Sequence, residues 1–183
     1  MKREMILALA LLGFIAVAEE NPSKNEDFKP VKLGELDVSS AFKDYLAGSP
    51  KSVWKKIGWS NKPEGIIEIR EGKLFMQSKG APFTGLWMQL PAANSFFVKP
   101  GEKIRITVTA QGSGLFGYWA YGADKKFLGK KCTGKKVSCK EMKKYSAVFT
   151  VGEGVAKITP FITAAKDGIT VESLQIEIVH GTK

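Results

Sequence analysis

From Lys103 to Ala110 apolar and polar side chains alternate without a break. Ile104, Ile106, Val108 and Ala110 share one side; Arg105, Thr107 and Thr109 share the other. A period of two marks a strand with one buried and one wet face. Similar segments recur along the chain. Residues 65–70 and 73–77 flank Glu71-Gly72, a two-residue hairpin signal. Residues 84–90 and 95–98 follow, and Lys99-Pro100-Gly101-Glu102 places Pro and Gly as a type II turn prefers. Gln111-Gly112-Ser113-Gly114 reads as a turn before an aromatic strand over residues 115–121. Residues 144–151 form another strand, closed by Gly152-Glu153-Gly154. The last two, residues 155–162 and 169–179, are separated by Lys166-Asp167-Gly168; in the second, Leu174, Ile176 and Ile178 oppose Ser173, Gln175 and Glu177. Residues 38–47 alone read as a helix, with Ser39 or Ser40 as cap and Gly48 and Pro50 as stop. Roughly nine closely spaced strands, with no internal repeat and no strand–helix–strand alternation, predict an all-β antiparallel sandwich or barrel.

The N-terminus follows another rule. Met1-Lys2-Arg3 is basic, residues 5–17 are apolar, and Ala16-Val17-Ala18 precedes Glu19-Glu20. The apolar run is about 14 residues, against roughly 20 for a membrane span. A cleavable signal peptide over 1–18 is therefore expected, and a secreted or periplasmic protein with no transmembrane segment in the mature chain. No cysteine stands at the cleavage point to carry a lipid. Residues 19–37 are polar and read as a linker or N-terminal arm, leaving 38–183 as one β-sandwich domain.

Charge narrows the class of partner. The formal net charge is +10, and nearly all of it is lysine: beyond Arg3 the arginines are Arg70 and Arg105. Sequence-specific reading of bases leans on arginine, so with export the expectation is no nucleic acid. Lys125, Lys126, Lys130, Lys131, Lys135, Lys136, Lys140, Lys143 and Lys144 lie close together, offset locally by Asp124 and Glu141. Such a cluster either draws polyanions or keeps an exposed hairpin soluble. Cys132 and Cys139, with six residues between them, suggest a disulfide clipping a hairpin tip in an exported chain. With His180 as the single histidine, no metal site is expected.

Three stretches carry a resemblance. Phe97-Val98-Lys99-Pro100-Gly101-Glu102-Lys103-Ile104-Arg105-Ile106, Lys144-Tyr145-Ser146-Ala147-Val148-Phe149-Thr150-Val151, and residues 155–176 with Gly168-Ile169-Thr170-Val171 are similar to the conserved strands of galactose-binding-domain-like jelly rolls. The nearest likeness is to the carbohydrate-binding modules of families 4, 9 and 22. The likeness runs over residues 54–179. It implies a jelly-roll sandwich that binds polysaccharide without catalysis, as an accessory to carbohydrate-active enzymes. It also implies a structural calcium near the opening strand. Residues 37–42 stand in that place but lack the Asn…Phe-Glu opening, and Glu172-Ser173 replaces the usual Asp before the last strand, so no cofactor is expected.

A sugar site of this type needs a flat ring to stack on a pyranose and polar groups to fix its hydroxyls. Alternation places Trp87 and Gln89 opposite Leu86, Met88 and Leu90. They form either a platform or a second buried layer. In residues 115–121 one set, Trp119 with Tyr121 or Tyr118 with Phe116, must be core and the other is free to meet ligand. Trp54 and Trp59 either touch ligand or pin the N-terminal segment. Arg105 either hydrogen-bonds a glycan or sits on a solvated face. The expected ligand-binding set is Trp87, Gln89, Tyr118, Trp119, Tyr121 and Arg105. The polyanion-binding set is Lys125, Lys126, Lys130, Lys131, Lys135 and Lys136, which would serve a cell-envelope interaction protein on the same fold. Neither a nucleophile elbow nor a Ser-His-Asp order is present. Glu68, Glu71 and Glu102 are the carboxylates available to a hydrolase, and each lies by a turn or on a polar face.

Overall fold

The computed structural model describes residues 37–50, 52–58, 65–79, 84–88, 96–124 and 126–179. Helix α1 spans Val38–Leu46. Eight strands follow: β1 Trp54–Gly58, β2 Gly65–Arg70, β3 Lys73–Ser78, β4 Thr84–Met88, β5 Phe96–Phe97, β6 Lys103–Tyr121, β7 Thr133–Thr150 and β8 Lys157–Ile178. The expected signal peptide and almost all of the linker lie outside the described residues, as do Trp59, Gln89, Lys125 and His180.

All pairings are antiparallel, and three long strands organise them. β8 pairs with β6 along its whole length, and β6 with β7. On its other side the first half of β8 pairs with β4, which pairs with β1, while β5 pairs with its start. The second half pairs with β3, which pairs with β2. The long strands thus thread two half-sheets. Tyr118 in one half meets Phe149 in the other edge to face, with centroids 5.9 Å apart, so the halves close on each other as a sandwich. Between them lie Phe116, Tyr118 and Ile162 from the first half and Ile104, Ile106, Leu74 and Leu174 from the second, all buried. Each such fully buried side chain contributes roughly 1.5–3 kcal/mol.

The strand count is eight rather than nine because two expected turns are bulges, which merges four expected strands into β6 and β8, while β1 is added. Gly112 and Gly114 of β6 face Ile169 and Ala164 of β8, so three extra residues loop out of β8 around Lys166-Asp167-Gly168. A further residue, Glu172, is extra between the pairs Ala110–Val171 and Thr109–Ser173. Each odd insertion swaps which face points inward. Hence the core-facing positions of β8 are even through Ile162 and Ala164, odd at Ile169 and Val171, and even again at Leu174. The turn chemistry was real, since Gly112 has φ +101° and Gly168 φ +79°, but it bends strands without reversing them. Expected turns elsewhere are present. Glu71 (φ 51°) and Gly72 (φ 72°) close the β2–β3 hairpin, and Gly101 (φ 85°) makes the turn after Pro100.

Two expectations are corrected. Cys132 and Cys139 are free thiols. The segment between them is not a hairpin tip but the start of β7, an extended edge strand, with Cys139 opposite Gly112 and Thr133 opposite Tyr118. Seven strand steps separate the sulfurs' Cα atoms by roughly 23 Å, far beyond disulfide reach. The helix cap is Asp37, not Ser39 or Ser40. Its Oδ1 accepts the N–H groups of Ser39 (3.0 Å) and Ser40 (3.1 Å), and its Oδ2 the Ser40 hydroxyl (2.7 Å). That use of both oxygens, and a buried Phe42, leave the opening segment unfit as the implied calcium cradle. Among the described residues no three His, Cys, Asp or Glu side chains converge on a metal position.

Thiol titration in denaturant without reductant should find both cysteines reactive; one disulfide per chain would contradict the strand geometry. In the native protein Cys132 should react slowly, because burial raises its thiol pKa. Gly112→Ala should destabilise the fold by about 1–3 kcal/mol, since its φ is positive and a Cβ would strike the Gly168 carbonyl oxygen; urea unfolding measures this. The Ser40 hydroxyl bond holds the Asp37 carboxyl below its ordinary 3.8. The folded value is the depressed one, so the cap's contribution is complete above pH 3.8 and lost as pH falls through the folded value. Helical circular dichroism of Asp37→Asn should therefore show less acid dependence than wild type.

Candidate functional site: an aromatic sheet face

The outward sides of the two half-sheets differ in chemistry. Over the second half, Arg105 forms an ion pair with Glu177 (2.7 Å), Lys73 pairs with Glu172 (3.4 Å), and Arg70 pairs with Glu68 and lies over the Phe75 ring. Thr107 and Ser146, and Thr109 and Ser173, are joined through their hydroxyls at 3.0 and 2.9 Å. This surface satisfies itself.

The first half is different. Directly opposed residues in an antiparallel pair share a face, and the register aligns Trp87 with Phe161 and Phe161 with Gly117. Trp119 stands opposite Thr159, and Tyr121 opposite Lys157. The side chains close up into a row. Trp119 stacks on Phe161 with centroids 5.3 Å apart and planes at 26°, and Trp87 leans against Trp119 at 5.6 Å. Both tryptophans remain partly exposed, while Phe161 beneath them is 8% exposed. Gly117 explains how the rings lie so close to the sheet. A Cβ there would collide with the Thr133 carbonyl oxygen, so the strand pair is drawn together where the row crosses it.

One end of the row is polar. The Tyr121 ring packs against Phe127 (5.6 Å), and burial, aided by Cys132, pushes its phenol up to about 12 against the pull of a Thr159 hydrogen bond. Lys157 sits between Tyr121 and Phe97, with Nζ 5.0 Å from the Phe97 centroid.

Of the expected ligand set, the structure brings Trp87, Trp119 and Tyr121 onto this one face. Tyr118 is a correction: it is 1% exposed because its even position points into the sandwich, where it packs on Phe149. Arg105 lies on the outer side of the other half, committed to Glu177. Trp54 is buried and meets Phe42 of α1 edge to face at 5.7 Å, pinning the helix to the sandwich. It is also in the wall of a depression of about 410 Å³ between α1, β1 and β2, and its Nε1–H is buried without an acceptor. That corner offers no paired rings. Phe161 and Lys157 were missed from sequence. Phe161 lies in a strand whose residues are buried on both faces, so alternation carried no signal there. Lys157 looked like one more surface lysine. Of the expected polyanion set, Lys126, Lys130, Lys131, Lys135 and Lys136 are all exposed, the last two on edge strand β7.

No protein-family model matches the chain, and no curated protein matches it. Solved structures do. The CBM22-1 xylan-binding domain from Paenibacillus barcinonensis Xyn10C aligns with a TM-score of 0.51 and 12% identity over 85% of this chain and 99% of that one. The enzymatically active domain of bacteriophage CBA120 tailspike protein 4 aligns with a TM-score of 0.52 and 11% identity over 77% of this chain, which spans only 20% of that chain's length. The fold is thus the jelly-roll sandwich found in family 22 modules, as the sequence resemblance implied.

Tyr121 gives a direct check on this end of the face. Tyr45, Tyr118 and Tyr145 are also raised, so an absorbance titration should be shifted up throughout, and Tyr121→Phe should remove one tyrosine's worth of the change near pH 12.

Proposed function

We propose that this is an exported, non-catalytic carbohydrate-binding protein that holds a polysaccharide against the Trp87–Trp119–Phe161 row. The observation that carries the proposal is the row itself. Two tryptophans stay partly exposed on the sheet, backed by a buried ring. Pyranose rings have apolar C–H faces that a flat aromatic surface desolvates, and a sheet holds such rings in place before ligand arrives, lowering the ordering cost of binding. The fold shared with a xylan-binding domain supports the reading. So do the carboxylates. Glu68 is paired with Arg70, Glu71 occupies a hairpin turn, and Glu102 accepts the Lys99 N–H at 2.8 Å.

A second reading draws on β7. This edge strand exposes Lys135, Lys136, Lys140, Lys143 and Lys144 along one unpaired border, which suits a cell-envelope interaction protein meeting an anionic surface or a protein partner. Long-range attraction of that kind weakens steeply with salt.

Affinity electrophoresis of the protein against neutral and acidic polysaccharides separates the two. Under the first reading Trp119→Ala weakens retardation on the order of tenfold, as expected when about 1.5 kcal/mol of ring contact is lost, and Arg105→Ala leaves it unchanged. Retardation that survives Trp119→Ala and Trp87→Ala but vanishes at moderate salt would transfer the function to β7.

A further inference from the structure

We infer that the aromatic face selects a uronic-acid-bearing polysaccharide, with Lys157 receiving the sugar carboxylate. This rests on the carbohydrate-binding reading and names the class of ligand for that site.

Lys157 is an unusual lysine. It is 6% exposed, so its aliphatic stem is packed against the sheet, while its Nζ is not among the fully buried, unpartnered side-chain atoms. Among the described residues the ion pairs are Arg70–Glu68, Lys73–Glu172 and Arg105–Glu177; Lys157 belongs to none of them. Its Nζ has the Phe97 ring 5.0 Å away, a contact that favours a cation. Residues 89–95, which lead into β5 and Phe97, contain no acidic side chain either.

Its surroundings carry the same sign. Register puts Lys55 beside Trp87 and Lys136 beside Leu115 on this face, both exposed. The strand segments that build the face (β1, β4, β5, residues 114–121, 133–139 and 157–164) contain no Asp or Glu. On the opposite outer face Lys73 and Arg105 are paired with glutamates. The aromatic row is therefore bordered by cations on three strands, and among the described residues none of these three lysines is in an ion pair.

Spacing fits a sugar. Trp119 is opposite Thr159, so Lys157 is its diagonal neighbour, one two-residue step along β8, or roughly 7 Å. A uronate carboxylate is bonded directly to the pyranose ring and projects beyond the ring's edge. A ring stacked on Trp119 would direct that group toward Nζ, where a charge-assisted hydrogen bond forms in a partly desolvated setting. A neutral hydroxymethyl group would leave the lysine unpaired.

The test is affinity electrophoresis at one fixed salt concentration on glucuronoxylan and polygalacturonate, each beside its carboxyl-reduced form. Wild type should hold at least one acidic glycan about tenfold or more tighter than its reduced form. Lys157→Met should bring the acidic form down to the reduced one without moving the reduced form, and Lys157→Arg should keep most of the preference. Lys103→Gln, on β6 opposite Thr150 beyond the face, should change little. Equal binding of acidic and reduced forms by wild type overturns the inference while leaving the aromatic reading intact, and needs no variant to fold. Equal losses in Lys157→Met and Lys103→Gln overturn it in favour of general charge, and a Lys157→Met that weakens both glycan forms alike overturns it in favour of ring support. If no glycan is retarded, or if retardation ignores Trp119→Ala, the carbohydrate-binding reading falls and this inference with it.

Discussion

Everything outside the core depends on how three long strands keep one side inward while changing half-sheet. A strand with period-two side chains cannot lose or gain a residue without turning itself over. β8 gains three residues near Gly168 and one at Glu172. Together they restore phase, so Ile158, Ile162, Ile169, Val171 and Leu174 all reach the same core. The bulges supply the bend that lets the half-sheets face each other. Because inward positions are fixed on both sides of the bend, outward ones are too. Trp119, Phe161 and Trp87 share a face for the same reason that Phe116, Ile162 and Leu86 are buried together.

That constraint gives the molecule two outer surfaces with different tasks. One is a closed polar network in which cations, carboxylates and hydroxyls satisfy each other across strands. The other concentrates rings and withholds carboxylates. Aromatic pairs on an open sheet contribute to folding through cross-strand contact, yet they leave apolar area in water that a well-packed core would have removed. The location matters as much as the residues. The same tryptophans scattered singly would be ordinary surface. Aligned by register and drawn close to the sheet at Gly117, they make one continuous plate.

The sequence disclosed the fold class, the helix, two turns and the all-antiparallel pattern, because each rests on local periodicity or on glycine and proline chemistry. It misjudged what the glycines at 112 and 168 do. A positive-φ glycine serves a reversal or a bulge equally well, and only the partner strand's register decides between them. The cysteines failed similarly: close spacing suggests a clip, but an extended strand carries neighbours apart at about 3.3 Å per residue. For the site, alternation correctly paired Trp119 with Tyr121 but could not say which set was core. Tyr118 lost that choice to Phe149, a contact between residues 31 positions apart. Phe161 and Lys157 were illegible because β8 is covered on both sides where they stand, so no polar alternation marked the outer face.

Lysine's distribution separates a charge count from a site. The cluster at residues 125–144 dominates the charge count, yet a lysine on an exposed edge strand is strongly hydrated, and its presence is already explained by protection of the unpaired border. Lys157 adds a single charge, in a place where no ion pair holds it among the described residues. Its stem is packed against the sheet and the Phe97 ring lies 5.0 Å from its Nζ. Discrimination follows from such a site rather than from the larger cluster. A hydrated patch attracts every polyanion alike, whereas a partly buried ammonium beside a ring stack meets an anion only where the ligand's own geometry brings one to it.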